Sequence, residues 1–151
     1  VTLTVGSPVG GRVVALTEVP DPVFAQAMVG PGIAVEPDRV AADVVSPVDG
    51  TIVTLHPHAF VVATEEGAAV LVHLGIDTVK RKGEGFTLHV VKGETVRAGQ
   101  AVVSWDPAEV EAAGFAPICP VIALDAAADA LADLSEGTSV GIGDRLFSWH
   151  R

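Results

Sequence analysis

Ser46-Pro47-Val48-Asp49-Gly50-Thr51-Ile52-Val53-Thr54-Leu55 repeats a stretch that stands thirty-nine residues earlier, Ser7-Pro8-Val9-Gly10-Gly11-Arg12-Val13-Val14-Ala15-Leu16. Six of the ten positions are identical. In each copy a Pro-Gly turn feeds a short run rich in β-branched residues, the pattern of a turn entering a strand. Two copies are too few for a solenoid. They predict equivalent strands in two parts of one β structure, related by a pseudo-twofold.

The second copy runs on into His56-Pro57-His58-Ala59-Phe60, an apolar stretch, Glu65-Glu66-Gly67, and then Val72-His73-Leu74-Gly75-Ile76-Asp77. Three of the five histidines lie here. A turn centred between Glu65 and Glu66 sets His58 opposite His73 in an antiparallel pair, with both rings on one face and about 4.5–5.5 Å between their Cβ atoms. Gly67 also permits a glycine bulge, which shifts the register by one and sends the rings to opposite faces.

Outward from these stretches the chain is finely punctuated, with sixteen glycines and ten prolines. Residues 1–5 read as a strand, as do residues 33–37, 40–45, 86–91, 101–105, 121–124, 139–142 and 145–149. Asp21-Pro22 opens one short helical turn and Asp106-Pro107 another, each with an aspartate cap before a proline at the first helical position. Residues 126–134 read as a further short helix. Many short strands with little helix define an all-β fold, an antiparallel β-sandwich or partly closed barrel with a few short helical turns. At 151 residues the length suits a single domain, 1–151, with its own core.

The formal charge is −10, which argues against nucleic acid and against anionic lipid and suits a basic protein partner. Lone Cys119 cannot form an internal disulfide, and its apolar neighbours predict a buried, inert thiol. No run of eighteen apolar residues and no secretory leader is seen, so a cytoplasmic location is expected.

Two neighbouring imidazoles can do specific chemistry. A neutral ring nitrogen is a nucleophile near pH 7 and can take a phosphoryl group, while a second ring donates a hydrogen bond to a phosphate oxygen. Otherwise each ring is a satisfied core or surface residue. A third reading is a zinc site, with His56 and His58 as alternating ligands and His73 or Asp77 completing the set. A lipoyl-type carrier finds no support, because Lys80, Lys82 and Lys92 lack the surroundings of a modified lysine.

The chain resembles the glucose-type IIA phosphocarriers of the bacterial phosphoenolpyruvate-dependent sugar phosphotransferase system. The resemblance rests on Val19-Pro20-Asp21-Pro22-Val23-Phe24-Ala25, Gly32-Ile33-Ala34-Val35, the second Ser-Pro-Val-Asp-Gly unit, His58-Ala59-Phe60, and above all Val72-His73-Leu74-Gly75-Ile76-Asp77-Thr78-Val79, followed by Lys82-Gly83-Glu84-Gly85-Phe86. It covers nearly the whole chain in order. It implies that His73 accepts phosphate on Nε2 from the carrier HPr and passes it to the IIB domain of a glucose- or N-acetylglucosamine-type permease. It implies that His58 assists onward transfer, and that Val23, Phe24, Met28, Val29, Phe60 and Val79 occupy the positions of a docking ring, about half of them exposed enough to dock and the rest packed in the core, with Asp77 beside His73. It implies no intrinsic cofactor, allows a zinc ion bridging His58 and His73 with a partner carboxylate, and leaves room for regulatory targets. One departure stands out: the family commonly carries a threonine, hydrogen-bonded to the second ring, where this chain has His56, and the link from Leu55 to His58 is about two residues shorter. Either His56 inherits that orienting role, or it points to solvent and a water or carbonyl replaces the threonine. The opening residues also lack the basic amphipathic character of a membrane-binding tail.

Overall fold

A computed structural model describes residues 2–151. Along the chain run β1 (Thr2–Gly6), β2 (Gly11–Val14), a 3-10 turn at Leu16–Glu18, α1 (Pro22–Ala25), β3 (Gly32–Pro37), β4 (Ala42–Val45), β5 (Gly50–His56), β6 (Ala59–Ala63) and β7 (Ala69–His73). A 3-10 turn at Thr78–Arg81 leads to β8 (Thr87–Leu88), β9 (Thr95–Val96), β10 (Ala101–Trp105) and α2 (Pro107–Ala112). The chain ends with β11 (Cys119–Ala123), β12 (Leu131–Ala132), β13 (Ser139–Val140) and β14 (Arg145–His150). Every pairing is antiparallel.

An eight-stranded sheet, β13-β2-β3-β11-β7-β6-β5-β9, faces two three-stranded sheets, β1-β14-β12 and β4-β10-β8. The antiparallel sandwich expected from the punctuation is the fold observed. Its core fills the space between, where Val13, Val35, Val62, Val70 and Val72 of the large sheet meet Val5, Val44, Val103, Leu146 and Phe147 of the small ones. Side chains alternate along a strand, so Ala34 and Ile122 point the other way. There they join a second cluster with Leu16, Val19 and Phe24 under the first 3-10 turn and α1.

The repeated decapeptides are related by an internal twofold, visible bond by bond. Gly6 N–H donates to Pro47 O at 2.9 Å, and Val45 N–H returns the bond to Pro8 O at 3.0 Å. Ser7 Oγ donates to Val9 O at 2.6 Å, as Ser46 Oγ does to Val48 O at 2.7 Å. Val13 exchanges bonds with Thr138 and Gly137 as Ile52 does with Glu94 and Gly93. At the centre of the large sheet Val72 of β7 lies opposite Val121 of β11, with β6-β5-β9 running outward on one side and β3-β2-β13 on the other.

Both helix starts form as the sequence predicts: Asp21 Oδ1 accepts from Val23 N–H at 2.9 Å and Asp106 Oδ1 from Ala108 N–H at 3.0 Å. Two expectations need correction. The strand predicted over 86–91 shrinks to Thr87–Leu88 at the edge of its sheet, because the turn through Val91 and Glu94 follows at once. The helix predicted over 126–134 is only a 3-10 turn at Ala128–Ala130 followed by β12, which pairs with β14. Alanine-rich segments carry no periodicity to separate helix from strand, and pairing decides. The strand predicted over 1–5 appears as β1, and Val1 lies outside the described residues. Cys119 is fully buried, and burial pushes its thiol up, as befits an inert core residue.

Candidate functional site

His73 ends β7, one residue beyond the central Val72. Its Nδ1 lies 2.5 Å from Gly75 O. A carbonyl can only accept, so Nδ1 carries the hydrogen and Nε2 keeps the lone pair. The loop that supplies this carbonyl is held tightly. Thr78 Oγ1 donates to Leu74 O at 2.7 Å, and Ile76 N–H donates to Ala116 O at 2.9 Å. Gly75, at φ +79°, leaves no space for a side chain: a Cβ would stand 2.7 Å from Thr78 Cγ2 and 2.9 Å from Ala116 O. Beyond it, Arg81 Nε donates to Glu84 O and its Nη2 to Glu109 at 2.5 Å, which ties the loop to α2.

His58 reaches the same point by a route the sequence reading did not foresee. The turn between β6 and β7 runs from Thr64 to Ala68, with Thr64 N–H bonded to Ala68 O at 2.8 Å and Gly67 at φ +89°. The register is therefore shifted by one, and Ala59 rather than His58 stands opposite His73. This is the bulged alternative, yet the rings are not sent to opposite faces. His58 lies in the turn between β5 and β6, which pair as far as His56 and Ala59. A turn residue is not bound by strand alternation. Leu74 N–H donates to His58 O at 2.7 Å, and the two rings meet edge to face with centroids 5.3 Å apart and planes at 76°.

His73 has a second aromatic neighbour, Phe24 of α1, at 5.2 Å between centroids. Phe24 is 6% exposed and Phe60 wholly buried. Both are corrected as docking residues: Phe60 points into the sandwich core, and Phe24 packs in the second cluster. Val29 is partly buried against that same cluster. Val23, Met28 and Val79 are exposed at 41%, 66% and 59%, and Asp77 is exposed as well.

Burial pushes both histidines down from the ordinary range. For His58 burial acts first, then the neighbouring His73 and His56, and the value falls to about 4. For His73 burial also dominates, opposed by the Gly75 hydrogen bond and by the charges of Asp21 and then Asp77. Asp21 was legible in the sequence only as a helix cap. Its place near His73 follows from α1 folding over the outer face of the sheet. Two neutral imidazoles therefore share a shallow, partly apolar surface, one with a free Nε2.

Zinc takes four ligands. The three rings of His56, His58 and His73 form a file, stacked or edge to face, instead of converging on a point. Among the described residues no group of three His, Cys, Asp or Glu side chains is arranged to hold a metal ion. This chain alone offers a bridging zinc only the His58 and His73 nitrogens.

A β-sandwich that sets a neutral nucleophilic ring nitrogen beside a second imidazole has the chemistry that group-transfer carriers use. The chain belongs to the family described as phosphoenolpyruvate-dependent sugar phosphotransferase system, EIIA 1, which it matches over residues 3–128. It is 45% identical over 122 residues to the PTS system glucose-specific EIIA component of Oceanobacillus iheyensis, covering 80% of this chain and 73% of that protein. It is 51% identical over 106 residues to the PTS system glucose-specific EIICBA component of Streptococcus pneumoniae, covering 69% of this chain but only 14% of that longer protein. Among solved structures it is similar to the glucose permease IIA of Mycoplasma capricolum, with a TM-score of 0.88 and 32% identity, covering 98% of this chain and 96% of the other. No helix of the described residues is long and apolar enough to cross a membrane.

Proposed function

We propose that His73 is the phosphoryl-carrying residue of a sugar phosphotransferase system, charged by phospho-HPr and discharged to the IIB domain of a glucose- or N-acetylglucosamine-type permease in the cytoplasm. The observation that supports this most is the Nδ1 contact with Gly75 O, which leaves Nε2 as the nucleophile beside the His58 ring. The Nε2 lone pair attacks phosphorus, the bond from phosphorus to the donor's histidine nitrogen breaks, and the donor imidazole leaves and regains a proton. In the second step a cysteine thiolate of the IIB domain attacks phosphorus and the bond to Nε2 breaks.

The surroundings suit a carrier. A depressed pKa keeps His73 unprotonated and able to attack near pH 7. Asp21 and Asp77 would repel the bound phosphate, which favours passing it on. A donor N–H on His58 would hold a phosphate oxygen as charge moves to the acceptor. Val23, Met28 and Val79 offer an exposed apolar rim on which partners would dock. A bridging zinc would need further ligands from such a partner.

The reading is tested by incubating the chain with phosphoenolpyruvate, enzyme I and HPr and recording intact mass. Wild type is expected to gain one acid-labile phosphate and His73→Gln none. A His58→Gln chain is expected to accept phosphate yet pass it on about a hundredfold more slowly. Phosphate uptake by His73→Gln would overturn the assignment.

A further inference from the structure

We propose that His56 is a positioning residue for onward transfer, its ring stacked on His58 so that His58 is held edge-on to His73. The inference rests on the phosphocarrier reading and adds a third histidine to it.

The backbone of His58 is well fixed. β5 and β6 pair as far as His56 and Ala59, so the loop between them is only Pro57-His58. Proline fixes its own φ, and the Pro57 ring lies against the neighbouring loop, where a Cβ on Gly83 would come within 3.4 Å of Pro57 Cγ. The His58 carbonyl is held by Leu74 N–H. None of these contacts fixes the His58 side chain. A residue at the tip of a two-residue turn is free to swing its ring into solvent unless something packs on it.

Two rings do. His73 presents itself at 76°, an edge contact that constrains tilt weakly. His56 lies on the other side at 5.6 Å with planes only 27° apart, a stacked arrangement in the favoured range for aromatic pairs. His56 is well placed to do this because its own backbone is locked as the last paired residue of β5. The extra residue of β5 near Val53 shifts the alternation of the strand before it reaches His56, and a bulge of this kind re-aims the side chains that follow it. His56 is itself exposed, so its ring fills no part of the core and its substitution leaves the sandwich intact. Removing the stack leaves His58 present but loosely aimed. A donor that must meet a phosphate oxygen at hydrogen-bond distance is sensitive to such loss of aim.

The test compares His56→Ala, which removes the ring, with His56→Phe, which keeps a stacking face. Three quantities are read: the NMR shifts of the His58 ring protons, acceptance of phosphate by His73 from phospho-HPr, and onward transfer to a glucose-type IIB acceptor. His56→Ala is expected to move the His58 ring protons downfield as the stacked ring current is lost, and to leave acceptance within about twofold while slowing onward transfer roughly tenfold. His56→Phe is expected to restore both the shifts and the onward rate. Wild-type onward transfer by His56→Ala would overturn the proposal. So would a slowed His56→Ala that His56→Phe does not rescue, or His58 shifts that ignore both substitutions. If wild type itself takes no phosphate on His73, the phosphocarrier reading falls instead, and the ring-proton shifts still decide whether His56 orients His58.

Discussion

In the first half of the twofold frame β2 stops at Val14 and the chain turns into Leu16–Glu18 and α1; in the second, β5 takes in an extra residue near Val53 and runs on to His56. Up to that point the halves match, down to the serine that caps each Pro-Val turn. Past it they diverge, and both exits arrive at His73, one delivering Phe24 and the other His58. His73 also breaks the symmetry itself. It follows Val72 on β7 as Ile122 follows Val121 on β11, and Ile122 is wholly buried. The shared part builds a rigid frame, and the unshared part builds the site upon it. A histidine ring stands where the other half keeps a buried aliphatic side chain.

The comparison breaks most visibly at Phe24. Because its ring is buried in the second cluster, Phe24→Asp is expected to destabilise the fold by about 3–5 kcal/mol, read from denaturant melts. Val23→Asp, one residue away and exposed, is expected to stay within about 0.5 kcal/mol of wild type while weakening the binding of HPr. Equal losses at both positions would mean that α1 is not a packed lid over the sheet.

A smaller effect sharpens the equivalence of the halves. Ser7→Ala and Ser46→Ala each remove one buried hydrogen bond to a carbonyl two residues on, and each is expected to cost about 1–2 kcal/mol. Equal costs support the twofold as an energetic fact. A loss confined to one serine would reduce it to a resemblance of shape.

A third effect lies in the pH dependence of the second half. In the unfolded chain His58 takes up a proton as pH falls through 6.5, whereas in the folded chain it does so only near 4. The unfolded state binds more protons between these values, so stability falls as pH drops from 6.5 towards 4 and levels off below. The His73 shift acts in the same direction. His58→Gln is expected to flatten part of that slope in urea melts collected across the window, and an unchanged slope would remove His58 as its source.

Much of this was legible in the sequence, and the failures have physical causes. The repeated decapeptides announced the twofold, and the two Asp-Pro pairs announced both helices. The register of the β6–β7 hairpin was not fixed, since Gly67 admits two turn geometries differing by one residue. The histidines still meet because His58 lies in a turn, where the alternation rule does not hold. Phe24 and Phe60 looked like docking residues because an apolar side chain near a site reads alike whether it faces a partner or the core. The nearness of Asp21 to His73 and the stacking of the His56 ring on His58 are placements that only folding supplies.

The most direct test of the account is the chemical identity of the phosphohistidine. With Nδ1 donating to Gly75 O, the lone pair available for attack is on Nε2. Nitrogen-15 NMR of the phosphorylated chain, labelled in its histidines, is expected to show phosphate on Nε2 of His73. A phosphate on Nδ1, or on any other histidine, would contradict it.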